Sequence, residues 1–433
     1  MLKHSVKEVV LKSGARGLLI DVPDASVVCA QISFRAGDQY VKDPKKLETA
    51  HIMEHMSLGA NKKFPSSKKF TAEIQKNGAY TNASTAPVDM TYTMECADFE
   101  WERVLELLCL GISQPLFLDE EFKAEYGNVR EEMLYRGNNH DWHLSLEMEK
   151  RFGVDIETFQ ERLKLMPNVT VEDIRQHYQE THFSQNMRFI IAGRMKGRIR
   201  KISKLLNDMS LPKNKAGMRF EIPKTTLKMP DEPIFIENST VPNAYFYIIS
   251  YLAEKISRDE ALAMGTLGAI LTDTWGSRIF GTAREKGLVY YLNSGIDREE
   301  DYAAWWFGSQ VSEKQLNQLL KLIISEINRV KNGVLSQKDL ESAKMYMIGS
   351  HQRSAQTVGA IVNGYSGRYF REDLINDYFT HFPNRVEKIT KNDVIAIARK
   401  MLQDKIWGVG FLGTISKEAR TKAHMQVSAL WPN

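Results

Sequence analysis

Two histidines and a glutamate fall within five residues, His51-Ile52-Met53-Glu54-His55. The surrounding stretch, 47–60, holds no proline and has glycine only at its end. That composition predicts a helix. At about 100° per residue, His51 and His55 lie about 40° apart on one face, one turn from each other. Neutral imidazoles so placed can bind one zinc ion together. Glu54 is close enough to reach a water on that ion and take its proton as a general base. On the string alone, an ordinary solvated helix face accounts for the same residues equally well.

A catalytic zinc needs a third protein ligand and an open position. Residues 119–136, DEEFKAEYGNVREEMLYR, predict a second helix dense in carboxylates. Glu125 and Glu132 are seven apart and so within about 20° of the same face. One can ligate while the other orients a ligand from outside. Glu120, Glu121 and Glu131 fit an acidic helix surface. His140 and His143, just beyond, fit a loop or helix surface, and His177 and His182 fit packing or capping around a helix end.

The elements that must hold these residues follow from composition and spacing. At 433 residues the chain exceeds one ordinary core. Apolar residues at 43% and charged residues at 26% give the profile of a globular protein. A net charge of +4, spread along the chain, argues against a dedicated nucleic-acid surface. No apolar run approaches the roughly 20 residues that span a bilayer. The first ten residues are too polar for a signal peptide, so a cytoplasmic location is expected. Cys29, Cys96 and Cys109 are odd in number and lack CxxC spacing, so they read as buried packing. The amphipathic stretch 313–332 reads as a helix packed on a sheet, and the Trp305-Trp306 pair as core or chamber wall.

Residues 212–233, rich in proline and lysine, read as a linker between domains 1–211 and 234–433. The two halves look duplicated. Thr170…Asp173 and Thr390…Asp393 both suit a capping box, and strands close on Gly193 and Gly413; both pairs are offset by 220. Strands are expected at 26–34, 186–192, 243–251, 288–295, 303–310 and 406–412. The fold class expected is α+β: two similar domains, each a mixed or antiparallel sheet with helices packed on one side.

With these residues in hand, the sequence resembles the pitrilysin, insulysin and mitochondrial processing peptidase family of zinc peptidases with an inverted His-x-x-Glu-His motif. The family carries a ligand glutamate about 77 residues after the second histidine; Glu132 stands there, within Arg130-Glu131-Glu132-Met133. Glu125 matches a glutamate seven residues earlier. Residues 33–38 (SFRAGD), Gly59 and Asn82-Ala83-Ser84-Thr85 resemble flanking segments. The last implies an edge strand that binds substrate backbone through Asn82 and Ala83. In the second half, 276–280 and 284–290 resemble the segment that supplies an arginine and a tyrosine to the family's active site. Arg284 and Tyr290 fit, although Tyr291 matches the family's usual spacing of seven.

The resemblance implies one zinc per chain held by His51, His55 and Glu132, with Glu54 as base. Glu125 would steady His51 or another ligand, and Arg284 and Tyr290 would face the oxyanion. It also implies hydrolysis of peptides or unfolded segments inside a closed chamber, formed by a homodimer or by a heterodimer with a related chain. In that assembly Arg284 and Tyr290 act in trans. Two other readings remain open: a non-catalytic or partner subunit of the same family, and a zinc amidase acting on small molecules.

Overall fold

The computed structural model describes residues 2–213, 224–375 and 378–431. Residues 214–223 of the predicted linker lie outside the described residues. Two mixed sheets organise the rest. In the first, β1 (Ser5–Val10), β2 (Arg16–Asp21), β3 (Val27–Arg35), β4 (Tyr80–Thr85), β5 (Asp89–Ala97) and β6 (Met187–Gly193) lie in the order β1-β2-β6-β3-β5-β4. In the second, β7 (Ile234–Glu237), β8 (Ala244–Leu252), β9 (Asn293–Arg298), β10 (Ala303–Val311) and β11 (Ile406–Gly413) lie in the order β7-β11-β8-β10-β9. With β1 set aside, the orders correspond strand for strand. The β2–β6 and β7–β11 pairs are parallel, and every other pair is antiparallel. The capping boxes expected at Thr170/Asp173 and Thr390/Asp393 both form. The strand expected at 288–295 begins only at Asn293, because Leu288, Val289 and Leu292 turn into the core instead.

The two compact units do not follow the two sequence halves. One comprises Met1–Leu134, Glu161–Glu221 and Gln352–Thr380; the other comprises Tyr135–Gln160, Ile222–His351 and His381–Asn433. The first sheet lies in the first unit. Its period-2 alternation puts Phe34 and Tyr92 toward the helices Thr49–Ser57 and Val171–Thr181, where Phe34 stacks on His182 and Tyr92 bonds to it. The opposite face, with Leu18, Ile20, Ile190 and Ala192, packs against Val358, Ile361, Val362 and Tyr365 of the helix Val358–Glu372. Gln31 pins that helix through Asn363 at 2.6 Å.

The second unit repeats the scheme. Phe246, Ile248 and Leu252 face the helices Arg258–Leu271, Glu313–Lys331 and Lys391–Lys400. Tyr247, Ile249 and Tyr251 face Leu144, Met148 and Phe152 of the helix His140–Arg151. A Cβ at Gly410 would meet the Met148 sulfur at 2.3 Å, so this glycine lets the helix approach β11 closely. Each sheet therefore has several helices on one face and, on the other, a helix drawn from the opposite half of the sequence. Burying each of these large apolar side chains stabilises the fold by roughly 1.5–3 kcal/mol. Cys29, Cys96 and Cys109 are free and buried. No helix among the described residues is long and apolar enough to cross a membrane.

Candidate active site

The helix Thr49–Ser57 buries Ala50, Ile52, Met53 and Met56 and leaves Glu54 and His55 partly open. It stops where Glu121 accepts the Ala60 N–H at 2.9 Å. A Cβ on Gly59 would stand 2.3 Å from that carboxylate, so a larger residue there would push Glu121 aside. Glu121, read from sequence as surface, thus anchors the turn that follows the helix. The acidic helix Asp119–Gly137 anchors itself through Val129 and Met133 and brings Glu125 and Glu132 to the same place.

There the predicted ligands converge. One Glu132 oxygen lies 3.5 Å from Nε2 of His51 and 3.4 Å from Nε2 of His55. The three ligand atoms lie within 4.8 Å of one another, and no other such cluster forms among the described residues. Zinc bonds near 2.0–2.1 Å at tetrahedral angles place ligand atoms about 3.3 Å apart. Two imidazoles and one carboxylate at this spacing fit a zinc ion and leave a position for water.

The other ring nitrogens are also fixed. Nδ1 of His55 meets Glu125 at 3.1 Å, and Asn128 donates to the same carboxylate oxygen at 3.1 Å. Nδ1 of His51 meets Glu48, also at 3.1 Å. A carboxylate on Nδ1 holds the proton there and leaves the Nε2 lone pair for a metal. Glu125 therefore steadies His55 rather than His51. Glu48, which the sequence reading missed, serves His51 and pairs through its other oxygen with Arg162.

Electrostatics agree with a cation at this point. Burial opposes charge on His51, but its bonds to Glu132 and Glu48 outweigh it and push its pKa up to about 9. The same carboxylates favour any positive charge between the rings. Burial also works against the Glu48 carboxylate, yet His51 and Arg162 together hold its pKa below the usual range. His55 lowers Glu125, more than burial raises it. Glu54 moves the other way. Burial raises its pKa despite the nearby His55 and His51. A carboxylate shifted toward neutrality suits proton transfer. Thr85 at the end of β4 donates to a Glu54 oxygen at 3.2 Å, a contact absent from the sequence reading.

Asn82 and Ala83 sit on β4, the last strand of its sheet. They pair with Thr93 and Tyr92 of β5 on one side and with no strand among the described residues on the other. Arg284 and Tyr290 come together in the second unit. The guanidinium lies 4.9 Å from the Tyr290 ring and 4.7 Å from Trp275, and Nη1 donates to the Tyr290 carbonyl at 2.8 Å. Tyr290 is 81% exposed. Tyr291 instead turns inward and donates its hydroxyl to Asp141 at 2.8 Å. His140 lies edge-on to Tyr245, and His143 lies 4.0 Å from Glu147. His177 and His182 are buried against the Ala36 carbonyl and the Tyr92 hydroxyl.

Family comparisons match this geometry. Residues 18–150 match the family model described as insulinase (peptidase family M16), and 168–347 match the one described as peptidase M16 inactive domain. The chain belongs to the M16 peptidase family. Among M16 relatives, insulin-degrading enzyme-like 2 of Arabidopsis thaliana is 24% identical over 44% of this chain but only 20% of its own length. The chain thus spans about a fifth of that longer relative. An uncharacterized zinc protease of Streptomyces coelicolor is 21% identical over 98% of this chain and 93% of its own. The non-peptidase homolog YmxG of Helicobacter pylori is 19% identical over 84% of this chain and 83% of its own. Two solved structures share the fold. A protease from Helicobacter pylori has a TM-score of 0.81 at 16% identity, covering 95% of this chain and 99% of its own. A peptidase M16 inactive domain from Pseudomonas fluorescens has a TM-score of 0.78 at 19% identity, with the same coverage.

Proposed function

We propose that this chain is a zinc-dependent endopeptidase that hydrolyses peptides or unfolded protein segments. One observation carries the reading: both Nε2 atoms and one Glu132 oxygen meet at zinc-ligand spacing, on the helix that also bears the half-buried Glu54. A zinc ion held by His51, His55 and Glu132, one per chain, supplies Lewis acidity toward water and the scissile carbonyl. The side chains do the remaining work. Glu54 takes the proton of the attacking water on its carboxylate and passes it to the leaving amine. Thr85 keeps that carboxylate turned toward the reacting atoms. The free edge of β4, with Asn82 and Ala83, aligns an extended peptide by backbone hydrogen bonds and so asks little of its sequence. Arg284 and Tyr290 offer donors to the developing oxyanion. The engaged Tyr291 hydroxyl and the exposed Tyr290 ring support Tyr290 for that role. In a dimer these two residues are supplied in trans.

Glu54→Gln tests the reading. Cleavage of a quenched fluorescent peptide library is expected to fall about 10²–10⁴-fold while zinc stays bound one per chain. Full activity in that variant removes Glu54 as base. The relative named as a non-peptidase homolog motivates a second reading, a non-catalytic or partner subunit. A folded, zinc-loaded chain that cleaves nothing alone and acquires activity only with a related second chain favours that reading.

A further inference from the structure

Glu48 is the most deeply placed acid around the pocket, with no solvent exposure. A carboxylate taken out of water persists as an ion only when both oxygens are satisfied. Here one oxygen receives Arg162 and the other receives Nδ1 of His51. Glu48 also stands at the N-cap of the helix Thr49–Ser57, where an acid side chain ordinarily accepts the helix's own free N–H groups. It makes no such bond. Its carboxylate is turned away from the backbone and onto the imidazole. Arg162 comes from the short helix Phe159–Leu165, a segment apart from both helices that carry His51, His55 and Glu132.

Resting on the zinc reading above, we propose that Glu48 and Arg162 act as one positioning device for the metal. Arg162 clamps Glu48, Glu48 holds the Nδ1 proton of His51, and the His51 Nε2 lone pair is thereby aimed at the ion. The two imidazoles are then held by unlike means. His51 leans on a fully buried acid paired with an arginine, and His55 on the partly exposed Glu125, which Asn128 assists. Arg162, 114 residues from Glu48 along the chain, thereby becomes a determinant of metal affinity. Without its guanidinium, the buried Glu48 carboxylate loses the partner that fixes its orientation, and the His51 ring loses its tether.

The test uses the full chain stripped of metal. Zinc affinity is measured by competition with a chromogenic chelator, cobalt(II) is read by its visible d–d absorption, and folding is followed by thermal unfolding of the metal-free protein. Glu48→Gln and Arg162→Leu are each expected to weaken zinc about 10–100-fold and to shift the cobalt spectrum. Arg162→Lys is expected to recover part of the loss. The cobalt spectrum is the decisive readout, because an arginine that merely braced the fold would lower the unfolding temperature and leave the metal's ligand field alone. Wild-type affinity and an unchanged cobalt spectrum in folded Arg162→Leu overturn the proposal, even if Glu48→Gln does not fold. A wild-type chain that takes up neither zinc nor cobalt refutes the zinc reading itself, before any variant is made.

Discussion

In each sheet the chain leaves its long central strand, β3 or β8, and enters a helix before reaching the edge strand. In the first unit that helix is Thr49–Ser57 and in the second it is Arg258–Leu271. The place in the topology is the same and its use differs. Arg258–Leu271 carries no histidine and buries Ala263, Met264, Leu267, Ile270 and Leu271. It begins with a complete capping box in which Ser257 and Glu260 satisfy each other's backbone N–H groups. Thr49–Ser57 gives up its side-chain cap, a loss of about 1 kcal/mol, and directs the N-cap acid to His51. A duplicated frame has thus kept its strand order while one copy uses its helix for packing and the other uses it to bring two histidines to Glu132.

The largest effect is expected from separating the sequence halves. Residues 1–211 alone lack the helix Val358–Glu372, so Leu18, Ile20, Ile190 and Ala192 lose their cover. That fragment is expected to show no cooperative thermal transition by circular dichroism until the remainder of the chain is added. A sharp transition in the isolated fragment would show that the exchanged helix is dispensable to the first sheet.

Paired substitutions in the two equivalent helices come next. His55→Ala removes a ligand, so zinc binding should weaken beyond the 10–100-fold typical of an outer partner, with little change in metal-free stability. Leu267→Ala should do the reverse, costing about 2–5 kcal/mol in urea unfolding and leaving zinc affinity unchanged. A metal effect from Leu267→Ala would break the division of labour.

This division was only partly legible in the sequence. The helices, the capping boxes at an offset of 220, and the placing of His51 with His55 and of Glu125 with Glu132 on single helix faces followed from periodicity, because they depend on spacing along single elements; the meeting of those two helices followed only from the family resemblance. The partners of the ligands did not. Glu48 lies only three residues before His51, a helix-face spacing that could have been read, but Arg162 lies 114 residues away and carries no local signal. Thr85 reaches Glu54 only because β4 runs beside the motif helix. The exchange of helices between sheets was also invisible, since amphipathic periodicity says that a helix has an apolar face and not which sheet will receive it. At 288–292, apolar residues suited a strand and a core loop equally, and tertiary packing chose the loop.

Two buried acids extend the comparison to pH. Glu48 in the first unit is held below the usual carboxylate range, so its stabilising contribution is full above the unfolded value of about 4.5 and is lost on acidification through its depressed value. Glu149, on the helix covering the second sheet, is raised by burial and then by Asp297 and Glu299, up to about 7. Its contribution is present below the unfolded value and is lost as pH rises through about 7. Glu149→Gln is therefore expected to raise stability by roughly 1–3 kcal/mol at pH 8 and to change little at pH 4. Urea unfolding of both proteins across that range measures it. A gain at pH 4 that disappears at pH 8 would contradict the sign.

The smallest effect probes the duplication where the two copies are most alike. Thr170 and Thr390 each accept the N–H of the third helical residue, while Asp173 and Asp393 return a bond to the capping residue's own N–H. Both helices lead into the strand at the centre of the parallel pair, β6 or β11. One local difference separates them: Asp173 also binds Lys46 at 2.7 Å. Thr170→Ala and Thr390→Ala should each cost about 1 kcal/mol, because each leaves one helix N–H without its side-chain acceptor. Replacing Lys46 with Met should add only a few tenths of a kcal/mol in the first copy, the scale of a partly exposed pair. Unequal threonine costs that become equal once Lys46 is replaced would assign the difference to that lysine. A difference that persisted would mean that the two caps, alike in every backbone bond, are set in helices of unequal local stability.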